Sequence, residues 1–472
     1  MIWLIFLLLA ACGPVAEPSG PTWHHDIRPI IVHRCGECHS PGGVGGLALT
    51  ESADAVVMRF ALTRVHDGTM PPWPPSADGL PIANRREIDI EEVRLIERWL
   101  ERPALGDPAS APPAPPTSYR FQRLPELQLL MPEPYLSSSR VASDEIRCLV
   151  LPALPPPYDK RSAFIEGYDW IVGSPRAMHH IVAAIVPPAG VPTVHDLDAR
   201  DPGPGFECAA GDFPLIASLN NSSIGPDGGF RYPDPYGVEV PAGGRVMLQV
   251  HYLPAFQRVA DVSGVKLWLR SSASPIKVAV YTAPSDVPCP TGISNTYGNP
   301  CNRQTIADRF RPGFVADNDR LLAACGQSMA SRYAAPFTTT IPPHWYFTSA
   351  CPTKATPGKV FSVHMHAHTR ASAVSIKACP PAGPCVKLLD IPKWSWPWES
   401  AYTLQKPFPL DETWTVIPSC TWDNGDLAQP NLETGEPGHY GPAPAPRRTP
   451  EYLLPISSRL GEMCQAVLEM GN

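Results

Sequence analysis

The chain has 472 residues, 43% of them hydrophobic and 18% charged, with a formal net charge of −7. That length supports two to four domains with real cores, and the charge leaves no basic footprint for nucleic acid, so no nucleic-acid partner is expected. The 61 prolines and 35 glycines disfavour long helices and favour short strands joined by turns, and the 13 cysteines point to an oxidising compartment.

Residues 1–12 form a short apolar stretch ending in Leu9-Ala10-Ala11-Cys12. It is too short to span a bilayer and resembles a bacterial lipoprotein signal peptide. Cleavage before Cys12 and acylation of its thiol would leave an exported protein, periplasmic or at the cell surface, anchored to a membrane through lipid. No Lys or Arg precedes the apolar run. No later apolar run reaches the ~18 residues that a spanning helix needs.

After a Pro/Gly/Ser tether comes Cys35-Gly36-Glu37-Cys38-His39. C-x-x-C-H is the attachment signature of haem c: two thiols form thioethers, and the adjacent His becomes an axial ligand of the iron. Met70, in Gly68-Thr69-Met70-Pro71-Pro72-Trp73, is the best second axial ligand, because the following prolines fix an extended loop that presents the thioether. His24, His25 and His66 are weaker alternatives, and Met58 reads as core in a helical run over 52–65. Residues 86–101 also read as a helix, with Ile90, Val93, Ile96 and Leu100 on one face. Together, 23–106 resemble a small class I cytochrome c domain, which implies an all-α fold there. Residues 107–118 are a Pro-rich linker, semi-rigid and extended.

From 119 onward the chain reads as short strands and turns. Ile181–Val186 is a buried strand following His179-His180. Arg245–Tyr252 alternates, with Val246, Leu248 and Val250 on one face and Met247, Gln249 and His251 on the other. The stretch 360–370 places His364, His366 and His368 at period two among valines and a phenylalanine. In a strand, i and i+2 share a face with Cα atoms about 6.6 Å apart, so two imidazoles can close on one metal ion.

Met178-His179-His180-Ile181, Leu248-Gln249-Val250-His251-Tyr252, Val363-His364-Met365-His366 and Gly461-Glu462-Met463-Cys464 occur in this order. They resemble the motifs of the copper type II, ascorbate-dependent monooxygenases, the family of peptidylglycine α-hydroxylating and dopamine β-monooxygenase. The resemblance spans about 145–465. It implies two all-β, jelly-roll-like sandwich domains, over 119–285 and 286–472, with one copper ion each. His179, His180 and His251 match the electron-delivering site; His364, His366 and Met463 match the site where oxygen is activated. Imidazole suits both copper states and a thioether favours Cu(I). Adjacent His179 and His180 point to opposite faces of an ideal strand, so sharing one metal requires a strand end or a bulge. His368 has no counterpart in the family motif. The resemblance further implies the disulfides Cys148–Cys208 and Cys420–Cys464. Cys289/Cys301, Cys379/Cys385 and Cys325/Cys351 are the remaining pairings, which sequence alone does not fix.

The departures from the family bear on substrate. The peptide hydroxylase has an Arg where this chain has Ser362, and an Asn and a Tyr where it has Gln465 and Val467. A C-terminal glycine peptide is therefore not the expected substrate. The expectation is a monooxygenase acting on a small organic molecule with O2. Its electrons would come from ascorbate or a redox protein and pass through the tethered haem to the His179/His180/His251 copper. Two alternatives compete: a non-catalytic, lipid-anchored electron-transfer or copper-binding protein, and a zinc enzyme, against which Met463 speaks because zinc prefers Cys, His and carboxylates.

Overall fold

The computed structural model describes residues 20–41, 47–71, 75–83, 87–112, 123–137, 145–174, 178–208, 214–215, 217–219, 230–252, 258–284, 320–326, 346–367, 371–394, 399–423 and 464–472.

The N-terminal lead carries α1 (Arg28–Arg34), α2 (Gly36–His39), α3 (Ala55–His66) and α4 (Ile90–Glu101). Asp54 caps α3, and Asp89 with Glu92 forms a capping box on α4. These caps satisfy amides that a helix start leaves open. Val93, Ile96, Trp99 and Leu100 of α4 bury against Trp23, Ile27, Ile31, Met58 and Leu62, whereas Ile90 is exposed. Met58 is core, as its helical setting predicts.

The expectation of an all-α cytochrome c domain over 23–106 is corrected here. Among the described residues the chain is predominantly β, the α-helices are no longer than 12 residues, and no cytochrome c-like all-α domain is formed by the N-terminal part. The physical reason lies in 75–83, where the chain leaves the helices and joins a β-sandwich. There Ile82 is buried in the core of the second sandwich, with Leu80 packed against it. A Pro-rich stretch with no helical periodicity is free to satisfy its backbone on a sheet edge instead.

The first sandwich contains β1 (Leu127–Leu130), β2 (Tyr135–Leu136), β3 (Glu145–Val150), β4 (Ala163–Ile171), β5 (Met178–Val186) and, after helix α5 (Val191–Arg200), β6 (Phe206–Glu207), β7 (Ala217–Leu219), β8 (Phe230–Arg231), β9 (Tyr236–Val240), β10 (Arg245–Tyr252), β11 (Ala260–Asp261), β12 (Gly264–Arg270) and β13 (Ser274–Pro275). One sheet runs β1-β12-β4-β9-β13 with β8 on β4, and the other runs β6-β3-β10-β5-β7. Val246, Leu248 and Val250 of β10 fill the core between them. Met247 lies on the opposite face, which is buried too, under Val194 of α5 and the Cys148–Cys208 disulfide.

The second sandwich contains β14 (Lys277–Thr282), β15 (Tyr346–Ala350), β16 (Thr353–Lys354), β17 (Gly358–Ala367), β18 (Ala371–Cys379), β19 (Val386–Ile391), β20 (Ala401–Leu410), β21 (Thr415–Asp423) and β22 (Cys464–Gly471). Its sheets run β14-β22-β17-β20 and β15-β21-β18-β19 with β16 on β21. The crossover between sandwiches therefore falls between 275 and 277, ahead of 285/286. Disulfides Cys325–Cys351, Cys379–Cys385 and Cys420–Cys464 brace this half. Cys289 and Cys301 lie outside the described residues.

The lead is fastened to the second sandwich. Ser76 and Leu80 amides donate to the Asp390 and Lys387 carbonyls of β19, the Ala83 amide donates to Thr403, and the Gln405 amide donates to Pro81. Ile82 bridges Leu404 of β20. Both β19 and β20 are sheet edges, so the segment covers backbone groups that would otherwise stay open. The Lys387 ammonium adds contacts to Asp78 and Asp390, each at 2.7 Å.

The two sandwiches meet at β17. A register shift between Val360 and Ser362, seen against both β20 and β22, marks a bulge at Phe361. Bulges re-aim side chains, and Phe361 joins the core of the first sandwich instead of its own. Its ring stands edge-on to Tyr232 at 5.8 Å and stacks on Tyr236 at 6.1 Å. Tyr236 rests against Gly471, where a Cβ would sit 2.3 Å from the ring, and its hydroxyl donates to the Asn472 carbonyl at 2.6 Å. Beside this seam Glu469 is buried. Burial raises its carboxyl to about 7, although Ser362 and Tyr232 hydrogen bonds oppose the rise.

Phe361→Ala will leave a cavity at the seam and cost about 3–5 kcal/mol, read as a lower denaturant midpoint. Because the Glu469 carboxyl titrates near 7 when folded and near 4.5 when unfolded, the folded state holds the extra proton between those values. Stability will therefore fall as pH rises from 4.5 through 7, by about 3 kcal/mol for this group. Glu469→Gln will flatten that part of the stability–pH curve in chemical denaturation.

Candidate metal and haem sites

In the first sandwich, β10 lies between β3 and β5. His251 pairs with His180 across the β10/β5 ladder, and the next pair is Tyr252 with Met178. One residue of β5, His179, is thus extra at the register shift, which is the bulge that two adjacent histidines need in order to share one ion. His251 is buried, 4% exposed. The side chains of His179 and His180 lie outside the described residues, as do Met463 and His368.

In the second sandwich, Val363, Met365 and Ala367 of β17 point into the core, so Ser362, His364 and His366 share the other face. Across the β17/β22 ladder, Ser362 faces Glu469, His364 faces Val467 and His366 faces Gln465. The face bearing the histidine pair is therefore continuous with the seam to the first sandwich. β22 begins at Cys464, opposite Ala367 and tied to Cys420 of β21. Met463 precedes it by one residue.

Sequence reasoning missed Glu399, which lies just ahead of β20, where Ala401 pairs with His364. Its carboxylate is almost wholly buried. One oxygen, Oε1, contacts His364 Nε2 at 2.7 Å and His366 Nδ1 at 2.9 Å; Oε2 lies 2.9 Å from the same His366 nitrogen. Burial would raise this carboxyl, but the charge of His366 and the hydrogen bond from His364 outweigh it and hold it well below the usual range. His364 Nδ1 is buried with no hydrogen bond, so the contact with Glu399 is what orients that ring. The only sequence signal was an acidic residue closing an aromatic run, Trp394-Ser-Trp-Pro-Trp-Glu399.

Among the described residues, no group of three or more His, Cys, Asp and Glu side chains forms a ready-made cation cage. At the histidine pair, Glu399 stands at hydrogen-bond distance from both rings. Two imidazoles and a carboxylate are donor types that a transition-metal ion accepts.

In the lead, Cys35 sits at the break between α1 and α2, and Cys38 and His39 complete α2. Neither cysteine is in a disulfide. Burial pushes the Cys35 thiol up to about 12. His39 Nδ1 lies 3.1 Å from the Leu47 carbonyl. A carbonyl only accepts, so Nδ1 carries the proton and the Nε2 lone pair is left for a metal. Burial holds this imidazole below its ordinary value despite that bond, favouring the neutral form. These residues fit a covalently attached haem. Met70 is half-buried after Gly68, whose φ of +70° turns the chain so that the Thr69 and Met70 amides both return to the Arg64 carbonyl.

No protein-family profile matches the chain, and no curated protein matches it. Among solved structures, an allantoicase aligns at 9% identity over 56% of this chain and 74% of that one, with a TM-score of 0.14. The PBSX exported protein XepA aligns at 7% identity over 64% and 88%, with a TM-score of 0.14. Broad Bean Stain Virus aligns at 8% over 75% and 92%, with a TM-score of 0.18. Likenesses this slight carry no argument about fold or activity.

The disulfides agree with an extracellular or periplasmic protein. Among the described residues no helix is long and apolar enough to cross a membrane.

Proposed function

We propose that the chain is a copper-dependent monooxygenase that hydroxylates a small organic substrate with O2. The observation that carries this reading is the β5/β10 register: His180 lies opposite His251, with His179 as the bulged residue. That is the local irregularity a three-histidine copper site requires. His364 and His366 on one face of β17, with the Cys420–Cys464 bond next to Met463, support the second site.

In this reading His179, His180 and His251 hold one copper ion, and His364, His366 and Met463 the other. Copper supplies one-electron and oxygen chemistry when bound. Cys35 and Cys38 would attach haem c, His39 and Met70 would hold its iron, and haem would supply a one-electron carrier. An external donor, ascorbate or a redox protein, provides the electrons, and acylated Cys12 holds the protein to a membrane. The chain's own part is placement. β17 sets the histidine pair on the face leading to the seam, and Ser362 meets Glu469 where the peptide enzymes carry an Arg. A neutral or anionic carboxyl at that end disfavours a carboxylate-bearing substrate and favours a polar or cationic one. The lead is fastened to the second sandwich through 76–83, so haem would be carried on a segment seated on the histidine-pair half.

Protein matured with haem c and copper will contain one haem and two copper ions per chain. His251→Ala and Met463→Ala will each lose one copper, and either will reduce substrate-dependent oxygen uptake at least a hundredfold. One haem with no copper, or with zinc in its place, would overturn the reading.

A further inference from the structure

We propose that Glu399 is a ligand of the metal ion in the His364/His366 centre, giving it a hard carboxylate donor beside the two imidazoles. The inference rests on the reading of that pair as a metal site.

The geometry is specific. Two ring nitrogens from residues two apart on β17 converge on the single oxygen Oε1, at 2.7 and 2.9 Å. Around a transition-metal ion, N and O donors at about 2.0–2.2 Å lie roughly 3 Å from one another. A separation of a few tenths of an ångström, with no change of partner, would therefore turn this cluster into a three-donor set.

Placement gives a second argument. Glu399 is fixed by the strand that follows it, since Ala401 pairs with His364 and Thr403 with Ser362. The same strand receives the lead, through Ile82 on Leu404 and Ala83 on Thr403. The carboxylate is thus held from both sides of β20. An almost wholly buried anion is costly without a partner of opposite charge, and the two imidazoles that the sequence marks as ligands both stand against this one. A divalent cation satisfies all three together.

Its chemical consequence is a choice of third donor. A thioether at Met463 favours Cu(I), while a carboxylate favours the divalent state. Glu399 would hold the oxidised ion and lower its reduction potential, a tuning that the His-His-Met set alone lacks.

The test compares full-length protein, wild type and Glu399→Gln, with Glu399→Asp as a second variant that keeps the charge. Each is titrated with Cu(II) and, separately, Zn(II). Expected are a loss of at least tenfold in affinity for one of two ions in Glu399→Gln, a changed Cu(II) paramagnetic-resonance spectrum for that ion, an upward shift of its potential, and partial recovery in Glu399→Asp. A merely structural carboxylate would leave the spectrum and potential of the bound ion unchanged, and that result would overturn the proposal. Zinc binding that depends on Glu399, without copper binding, would keep the inference and sink the monooxygenase reading. No divalent ion at this centre in the wild type would sink both.

Discussion

The bulge at Phe361 is the constraint on which the arrangement depends. Without it, β17 would alternate strictly from Gly358 to Ala367, and Phe361 would sit on the wrong face to reach the first sandwich. One extra residue sends Phe361 onto Tyr232 and Tyr236. It also restores the alternation so that Val363, Met365 and Ala367 enter the core and His364 and His366 do not. A single local irregularity thus sets both the contact between the two halves and the side on which the histidine-bearing face lies. Bulges commonly stand next to functional sites for this reason. In the first sandwich a register shift opposite His251 and Tyr252 leaves His179 as the extra residue of β5.

Around these strands the polar groups are handled unequally. Glu399 is buried as an anion because two imidazoles stand against it. Glu469, on the strand next to that of the histidines, is buried against the Ser362 and Tyr232 hydroxyls, and its proton is retained to about neutrality. The same residue type is therefore anionic at one end of the face and largely protonated at the other below pH 7. An opposite charge stabilises a buried carboxylate far more than a neutral hydroxyl's hydrogen bond does, and this difference is enough to separate them.

The sequence made the strands legible wherever alternation was strong. Arg245–Tyr252 and Ile181–Val186 lie within β10 and β5, and the histidine pair lies on β17. The Cys148–Cys208 and Cys420–Cys464 bonds agree with the family resemblance. The helical lead misled, because four short helices and a C-x-x-C-H motif say nothing about where 75–83 will pair. Glu399 was hidden for a related reason: it meets His364 across 35 residues, and nothing periodic connects them. Strand periodicity is a local property, whereas partner choice at a sheet edge and burial of a lone carboxylate are settled only by tertiary structure.

The clasp between 75–83 and the edges of β19 and β20 also changes how the Pro-rich stretch after 106 should be regarded. A domain on a free tether samples a volume, and its encounters with a second site are governed by effective concentration. Here the lead is already seated on the second sandwich, while the chain it feeds enters the first sandwich at β1. The lead clasp and the Phe361 seam therefore join the same two bodies in parallel. A load placed on either contact is shared with the other, so the lead and the sandwiches move as one body and not as a tethered pair.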